Sequence, residues 1–133
     1  MNVIEQLLRL LADSEYHKKY TPADICSFIL PAIREDKIYY MFDGPHLTGF
    51  ATYAFLSEEA AKGYAEGTRR IQPQDFEGQE GELWFIDFAT PYGGCRDFSR
   101  YLRKEFTNKY GPDATAKINR TSRKHIGILY AEK

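Results

Sequence analysis

Asp87 is the residue type most out of place in this chain. It sits in Leu83-Trp84-Phe85-Ile86-Asp87-Phe88-Ala89, a run otherwise apolar on both faces, which is the pattern of a central strand. A carboxylate there is costly unless it meets hydrogen-bond donors or takes up a proton. It reads either as a structural acid bonded to backbone amides or an arginine, or as an acid held in a cleft to orient a catalytic base. Strand alternation puts it on the face of Leu83 and Phe85. The chain also carries three histidines. His46 falls in the turn Asp43-Gly44-Pro45-His46, and His125 starts the last strand. His17, in Ser14-Glu15-Tyr16-His17-Lys18-Lys19, lies in a connection between two helices, where functional side chains are often displayed.

The second group follows the Asp87 strand. Thr90-Pro91-Tyr92-Gly93-Gly94-Cys95 leads into a helix from about Arg96 to Tyr110, stopped by Gly111-Pro112. Gly93 and Gly94 let backbone approach a ligand closely, and a helix start offers free N–H groups to an anion. An ordinary tight strand-to-helix turn would use the same residues. On that helix Phe98, Tyr101, Leu102 and Phe106 face one way, while Arg96, Arg100, Arg103 and Lys104 cluster opposite. The cluster is either a solvated face or a surface that steers an acidic partner. Cys95, beside Arg96, is either a reactive thiol or a small residue that fits; Cys26 reads as core.

The elements that must position these groups follow from periodicity. Residues 2–12 form an amphipathic helix with Ile4, Leu7, Leu8 and Leu11 on one stripe. Thr21-Pro22-Ala23-Asp24 starts a second helix, with a Thr cap and Pro at the first helical position. Ile25, Phe28, Ile29, Ala32 and Ile33 continue it, and Pro31 bends or restarts it. Lys37–Asp43 and Leu47–Phe55 make an antiparallel hairpin, with Gly49 marking a bulge or a close approach. A short helix starts at Ser57-Glu58-Glu59 and ends near Gly67. Gln72–Glu82 is polar and Gly-bearing, an exposed loop. Strands near Thr115–Asn119 and Lys124–Glu132 finish the chain. The order predicts a single α+β domain over residues 1–133, with a mixed, mostly antiparallel sheet flanked by helices and one β-α-β crossover.

Composition narrows the classes. A chain of 133 residues, 43% hydrophobic, buries a core without disulfides or metal. No apolar run is long enough to span a membrane. Met1-Asn2-Val3-Ile4-Glu5 lacks the features of a signal peptide, so a cytoplasmic location is expected. With 18 Lys+Arg against 19 Asp+Glu, general electrostatics would not hold the chain to nucleic acid. Two cysteines form no disulfide framework, and their spacing fits no zinc motif.

Taken together, Ser14-x-x-His17, Ile29-Leu30-Pro31-Ala32-Ile33-Arg34, Trp84-Phe85-Ile86-Asp87 with Pro91-Tyr92-Gly93, Tyr101-Leu102-Arg103-Lys104-x-Phe106 and His125-Ile126-Gly127 resemble the RTX toxin-activating lysine acyltransferases. The likeness runs from about Ser14 to the last strand. Phe28 stands where many members of that family carry an asparagine. The resemblance implies a fold related to the GNAT acetyltransferases. It implies a reaction in which a fatty acyl group moves from acyl carrier protein to the ε-amine of an internal lysine of a protoxin. It places the family's catalytic histidine on His17, its aspartate on Asp87 and its implicated serine on Ser14. The phosphopantetheine arm and the acidic carrier would then meet Tyr92, Gly93, Gly94, Arg96, Arg100, Arg103 and Lys104. No metal or organic cofactor is called for, and the resemblance is compatible with a homodimer. Two other readings share the fold: an acyltransferase drawing on acyl-CoA for another acceptor, and a catalytically idle binding or inhibitory module.

Overall fold

The computed structural model describes the backbone of residues 2–120 and 125–130, and side chains as far as residue 118. Helix α1 (Val3–Asp13) is capped by Asn2, whose side chain accepts from the Glu5 amide at 2.9 Å, and it buries Leu7, Leu10 and Leu11. A 3-10 turn, His17–Lys19, joins it to α2 (Pro22–Asp24). Thr21 and Asp24 cap α2 reciprocally: the Thr21 hydroxyl accepts from the Asp24 amide and the Asp24 carboxylate from the Thr21 amide. Such a pairing satisfies two donors that a helix start leaves free.

The helix then runs without a break through a π-wound segment, Ile25–Ile29, into α3 (Leu30–Arg34). Pro31 has no N–H to give, and its ring would crowd the carbonyl four residues back; the widened turn before it absorbs both effects. Cys26, expected in the core, is exposed on this segment.

Five strands follow the order β1-β2-β3-β4-β5: β1 (Ile38–Asp43), β2 (His46–Leu56), β3 (Glu82–Ala89), β4 (Thr115–Arg120) and β5 (His125–Tyr130). All pairings are antiparallel except β3 with β4, and α5 (Cys95–Tyr110) makes the crossover between those two. The β5 strand carries His125, whose side chain lies outside the described residues, as do the ends of the strand read near Lys124–Glu132. Helix α4 (Glu58–Glu66) is capped by the Ser57 hydroxyl and closed by Gly67 in the left-handed region, φ 77°. The result is the α+β architecture the element order predicted, consistent with the GNAT-like fold the resemblance implies.

Each face of the sheet buries its own layer. Ala51, Tyr53, Leu83 and Phe85 pack against Phe98, Leu102 and Phe106 of α5. On the other face, Phe50 and Ala89 pack with Leu7, Leu10 and Leu11 of α1, while Ala54, Leu56 and Trp84 pack with Ala32 of α3 and Ala60 and Ala61 of α4. Gly49 allows the β1, β2 and β3 ends to close up: a Cβ there would meet the Ala89 carbonyl, Met41 Cε and Thr90 Cγ2, each at 3.1 Å.

Two more expectations change. The Gln72–Glu82 stretch is no plain exposed loop. It carries a 3-10 turn, Pro73–Glu77, whose Phe76 is fully buried, and Lys37 Nζ donates to the carbonyls of Phe76 and Gly78. Asp87 does not share a face with Leu83 and Phe85. The β2–β3 register runs Thr52↔Asp87 but Tyr53↔Phe85, so Ile86 is an extra residue in β3. A bulge of this kind reverses the alternation beyond it. Asp87 therefore lies with Thr52 on the α1 face, between the two apolar clusters there. No helix among the described residues is long and apolar enough to cross a membrane.

Candidate active site

The bulge delivers Asp87 to His17. Imidazole Nε2 and Asp87 Oδ1 are 2.9 Å apart, and the two side chains are 4% and 1% exposed. On the other side of the ring, Ser14 Oγ lies 2.8 Å from Nδ1. Local structure explains the second contact. Ser14 caps the C-terminus of α1, its amide donating to the Leu11 carbonyl, and the chain turns so that the Lys18 amide donates to the Ser14 carbonyl at 2.8 Å. His17 thus begins its 3-10 turn directly over Ser14. A carboxylate can only accept, so Nε2 carries the proton it donates to Asp87; Nδ1 is then the basic nitrogen and accepts from the Ser14 hydroxyl. The tautomer follows from the network. Both nitrogens are engaged, in the logic of a serine–histidine–aspartate chain.

Asp87 has further partners. Its amide donates to Thr52 Oγ1 at 3.1 Å, and Tyr20 Oη donates to Oδ1 at 2.5 Å. The second oxygen, Oδ2, is buried without a donor among the described residues. The structural-acid reading is therefore incomplete: Asp87 is bonded, but to an imidazole and a phenol rather than to amides or an arginine. Burial and the Asp87 charge push the Tyr20 phenol far above the usual tyrosine range, so Tyr20 acts here as a donor. Phe50 and Tyr16 close over the imidazole with edge-on rings at 5.6 and 5.0 Å.

Ser14, His17 and Asp87 thus converge. The remaining candidates lie apart from them. Tyr92 donates to Asp13 at the end of α1, which ties the β3–α5 loop to the layer carrying His17. Gly93 and Gly94 take φ of 99° and 85°, a left-handed pair that β-branched or bulky residues would strain. Cys95, Arg96, Ser99, Arg100 and Arg103 line a shallow space of about 550 Å³ on the outside of α5; Lys104 is exposed but does not line it. The basic stripe and the buried trio belong to opposite layers, with residues 90–94 between them. Cys95 is exposed and has no contact with the trio. A second cavity, about 450 Å³, is walled by Tyr16, Tyr20, Phe28, Tyr64 and Ile86, among others. Phe28, the departure from the family pattern, packs its ring 5.8 Å from Tyr20.

Sequence reasoning missed Tyr20. The signal was present: Ser14, His17 and Tyr20 are spaced by three, and residues three apart eclipse one another on a 3-10 turn.

A mixed α+β sheet thus holds a buried histidine–carboxylate pair in reach of a serine. The chain belongs to the RTX toxin acyltransferase family, whose sequence profile matches residues 1–128, and it is an acyltransferase. Among its relatives are the RTX-II toxin-activating lysine-acyltransferase ApxIIC of Actinobacillus pleuropneumoniae, 24% identical over 83% of this chain and 68% of that one, and the lysine-acyltransferase RtxC of Vibrio cholerae, 26% identical over 77% and 67%. The protein-lysine myristoyltransferase HlyC of Escherichia coli is 23% identical over 96% of this chain and 72% of its own.

Proposed function

We propose that this protein transfers a fatty acyl group from the thioester of an acyl carrier protein to the ε-amine of a lysine on a protein target. The observation that carries the reading is the buried line Ser14–His17–Asp87, with both imidazole nitrogens in use. Family membership and the names of the relatives support the acceptor. The chemistry needs such a line. A lysine of pKa near 10.4 costs about 4.6 kcal/mol to neutralise at pH 7, so a base must take its proton as it attacks. The amine nitrogen bonds to the thioester carbon, the C–S bond breaks, and the amine proton passes through the Ser14 hydroxyl to His17 Nδ1 and on to the departing sulfur. Asp87 fixes the tautomer and stabilises the imidazolium formed on the way.

A thioester is already an activated acyl group, so this reading calls on no metal or organic cofactor. The exposed arginines at 96, 100 and 103 support a carrier with an acidic surface, because rows of like charge raise the encounter rate with an oppositely charged partner. The Gly93-Gly94 turn and the free amides of the α5 start support a phosphate of the carrier's arm beside them.

The test is intact-protein mass spectrometry of mixtures containing acyl-loaded carrier and lysine-bearing target proteins. One acyl mass should appear on the target with wild-type protein, and none above background with His17→Ala. Wild-type transfer by His17→Ala would refute the catalytic assignment, and equal use of acyl-CoA would refute the carrier as donor.

A further inference from the structure

Tyr20 has no part in the proton path just described, yet its hydroxyl makes the shortest contact to the carboxylate on which that path depends. We propose that Tyr20 is the positioning residue of the His17–Asp87 pair: its phenol fixes the orientation of the Asp87 carboxylate so that one oxygen stays on the imidazole Nε2–H axis. The geometry stands by itself, while the consequence for acyl transfer rests on the function proposed above.

Asp87 Oδ1 accepts from two sides, from Tyr20 Oη at 2.5 Å and from His17 Nε2 at 2.9 Å, while Oδ2 has no donor among the described residues. A carboxyl group turns about its terminal torsion over a broad, two-fold well. With a single donor on the carboxylate, rotation within that broad well would swing the acceptor off the Nε2–H axis. The second donor, fixed from another direction, makes one setting of the carboxylate preferred. Charge-assisted bonds of this kind are roughly twice as strong as neutral ones. Because the phenol is held protonated by burial and by the Asp87 charge, it keeps donating across the working pH range.

The ring is positioned independently of its hydroxyl. It meets His17 at 5.1 Å, Tyr16 at 5.9 Å and Phe28 at 5.8 Å, all edge-on or tilted. Its amide donates to the His17 carbonyl at 2.9 Å, closing the turn that stacks the two residues. Tyr20 also lines the 450 Å³ cavity, which Asp87 does not, so the phenol lies between that space and the carboxylate.

Tyr20→Phe keeps these ring contacts and removes the hydroxyl, with its bond to Asp87 and its hydrogen bond with Tyr16. In the folded wild-type protein, nitrogen-15 and proton NMR of the imidazole should show one tautomer, protonated at Nε2, with its proton far downfield and slow to exchange. In Tyr20→Phe the signal should broaden or split between tautomers. In acyl transfer, kcat should fall by about 10- to 100-fold while the acceptor KM stays within about twofold. Tyr20→Leu, which also loses the ring, should do no better than Tyr20→Phe. An unchanged imidazole spectrum with wild-type kcat in Tyr20→Phe would overturn the assignment and leave the ring as packing. Should the wild-type protein transfer no acyl group from any donor, the proposed function falls, and the imidazole spectrum still decides the role of Tyr20.

Discussion

The two faces of one sheet solve opposite problems. Toward α5, side chains from β2, β3 and β4 meet Phe98, Leu102 and Phe106 in a layer of apolar and aromatic groups, and the helix turns its arginines outward. Toward α1, the same strands leave a polar line in the middle: Thr52, Asp87, His17 and Ser14 are all buried there, with apolar clusters at either end. A core built for stability alone gains little from such a line, since buried charged groups cost several kcal/mol and their mutual attraction often only offsets this. The contrast teaches that the α5 face is plain core, while the α1 face carries buried polar groups whose cost stability alone does not explain and which the proposed function would use. Lys37 sharpens the point. It too is buried, but its ammonium is bonded to the carbonyls of Phe76 and Gly78 and pins the turn that brings Phe76 into the core. That charge is bonded to backbone carbonyls; the Asp87 charge is bonded to an imidazole and a phenol.

The sharpest way to break the comparison is to damage each face once. Asp87→Asn keeps the shape of the side chain but presents an amide where Nε2 needs an acceptor, and it favours the wrong tautomer. Activity should drop by about 10⁴-fold, the scale set by the equivalent change in serine proteases, with little change in the urea midpoint. Phe106→Ala empties a site that is 1% exposed and should cost about 3–5 kcal/mol of stability, with the rate per folded molecule nearly unchanged. Acyl-transfer rates and urea unfolding on both variants read this directly. Loss of activity by folded Phe106→Ala, or unfolding of Asp87→Asn, would erase the division between faces.

A smaller effect is expected outside the core. Arg100→Glu with Arg103→Glu reverses two exposed charges on α5. Transfer from an acyl carrier should slow by roughly tenfold at low salt, with the deficit shrinking as salt rises, because rim charges act on encounter. Use of acyl-CoA should change far less. Initial rates at several ionic strengths with the two donors separate these outcomes, and equal loss with both would place the stripe in the chemistry rather than in docking.

Much of this was legible in the residues. The Thr21-Pro22-x-Asp24 box, the hairpin from Lys37, the helix ending at Gly67 and the crossover through α5 each rest on short-range rules, and each formed where those rules put it. Asp87 was visible because a charge in an apolar strand has few uses. Its face was not, because one extra residue at Ile86 reverses the alternation and no local pattern announces a bulge. Cys26 was misread on residue type, since cysteine is among the most often buried residues; the helical stripe Ile25, Phe28, Ile29, Ala32 and Ile33 had already left it out, and it is exposed. Phe76 was hidden in a polar stretch, since its burial depends on Lys37, distant in sequence. The contact of His17 with Asp87 links residues 70 positions apart, and only the family resemblance brought them together beforehand.

The last difference between the faces is one of titration, and it has a sign. Tyr53 lies on the α5 face, stacked on Tyr39 at 5.5 Å, and burial first, then Tyr110, pushes its phenol well up. Tyr20 lies on the α1 face and is pushed up by burial together with the Asp87 charge. A phenol whose folded pKa exceeds its unfolded value near 10 contributes stability that is complete below about pH 10 and is lost as pH rises toward the folded value. Between about pH 10 and 12 the unfolded chain releases protons that the folded one retains, so unfolding should become steadily easier. Removing one such group flattens that decline by up to one proton, about 1.4 kcal/mol per pH unit. Urea midpoints at pH 8 and pH 11 should therefore draw closer in Tyr53→Phe than in the wild type. Tyr20→Phe should do the same, whereas Asp87→Asn should leave the gap nearly as it is, because burial, the larger cause, still holds the Tyr20 phenol protonated at pH 11. A gap that shrinks in Asp87→Asn would mean that the Asp87 charge, rather than burial, is what keeps that phenol protonated, and that the two faces differ in their electrostatics as well as in their geometry.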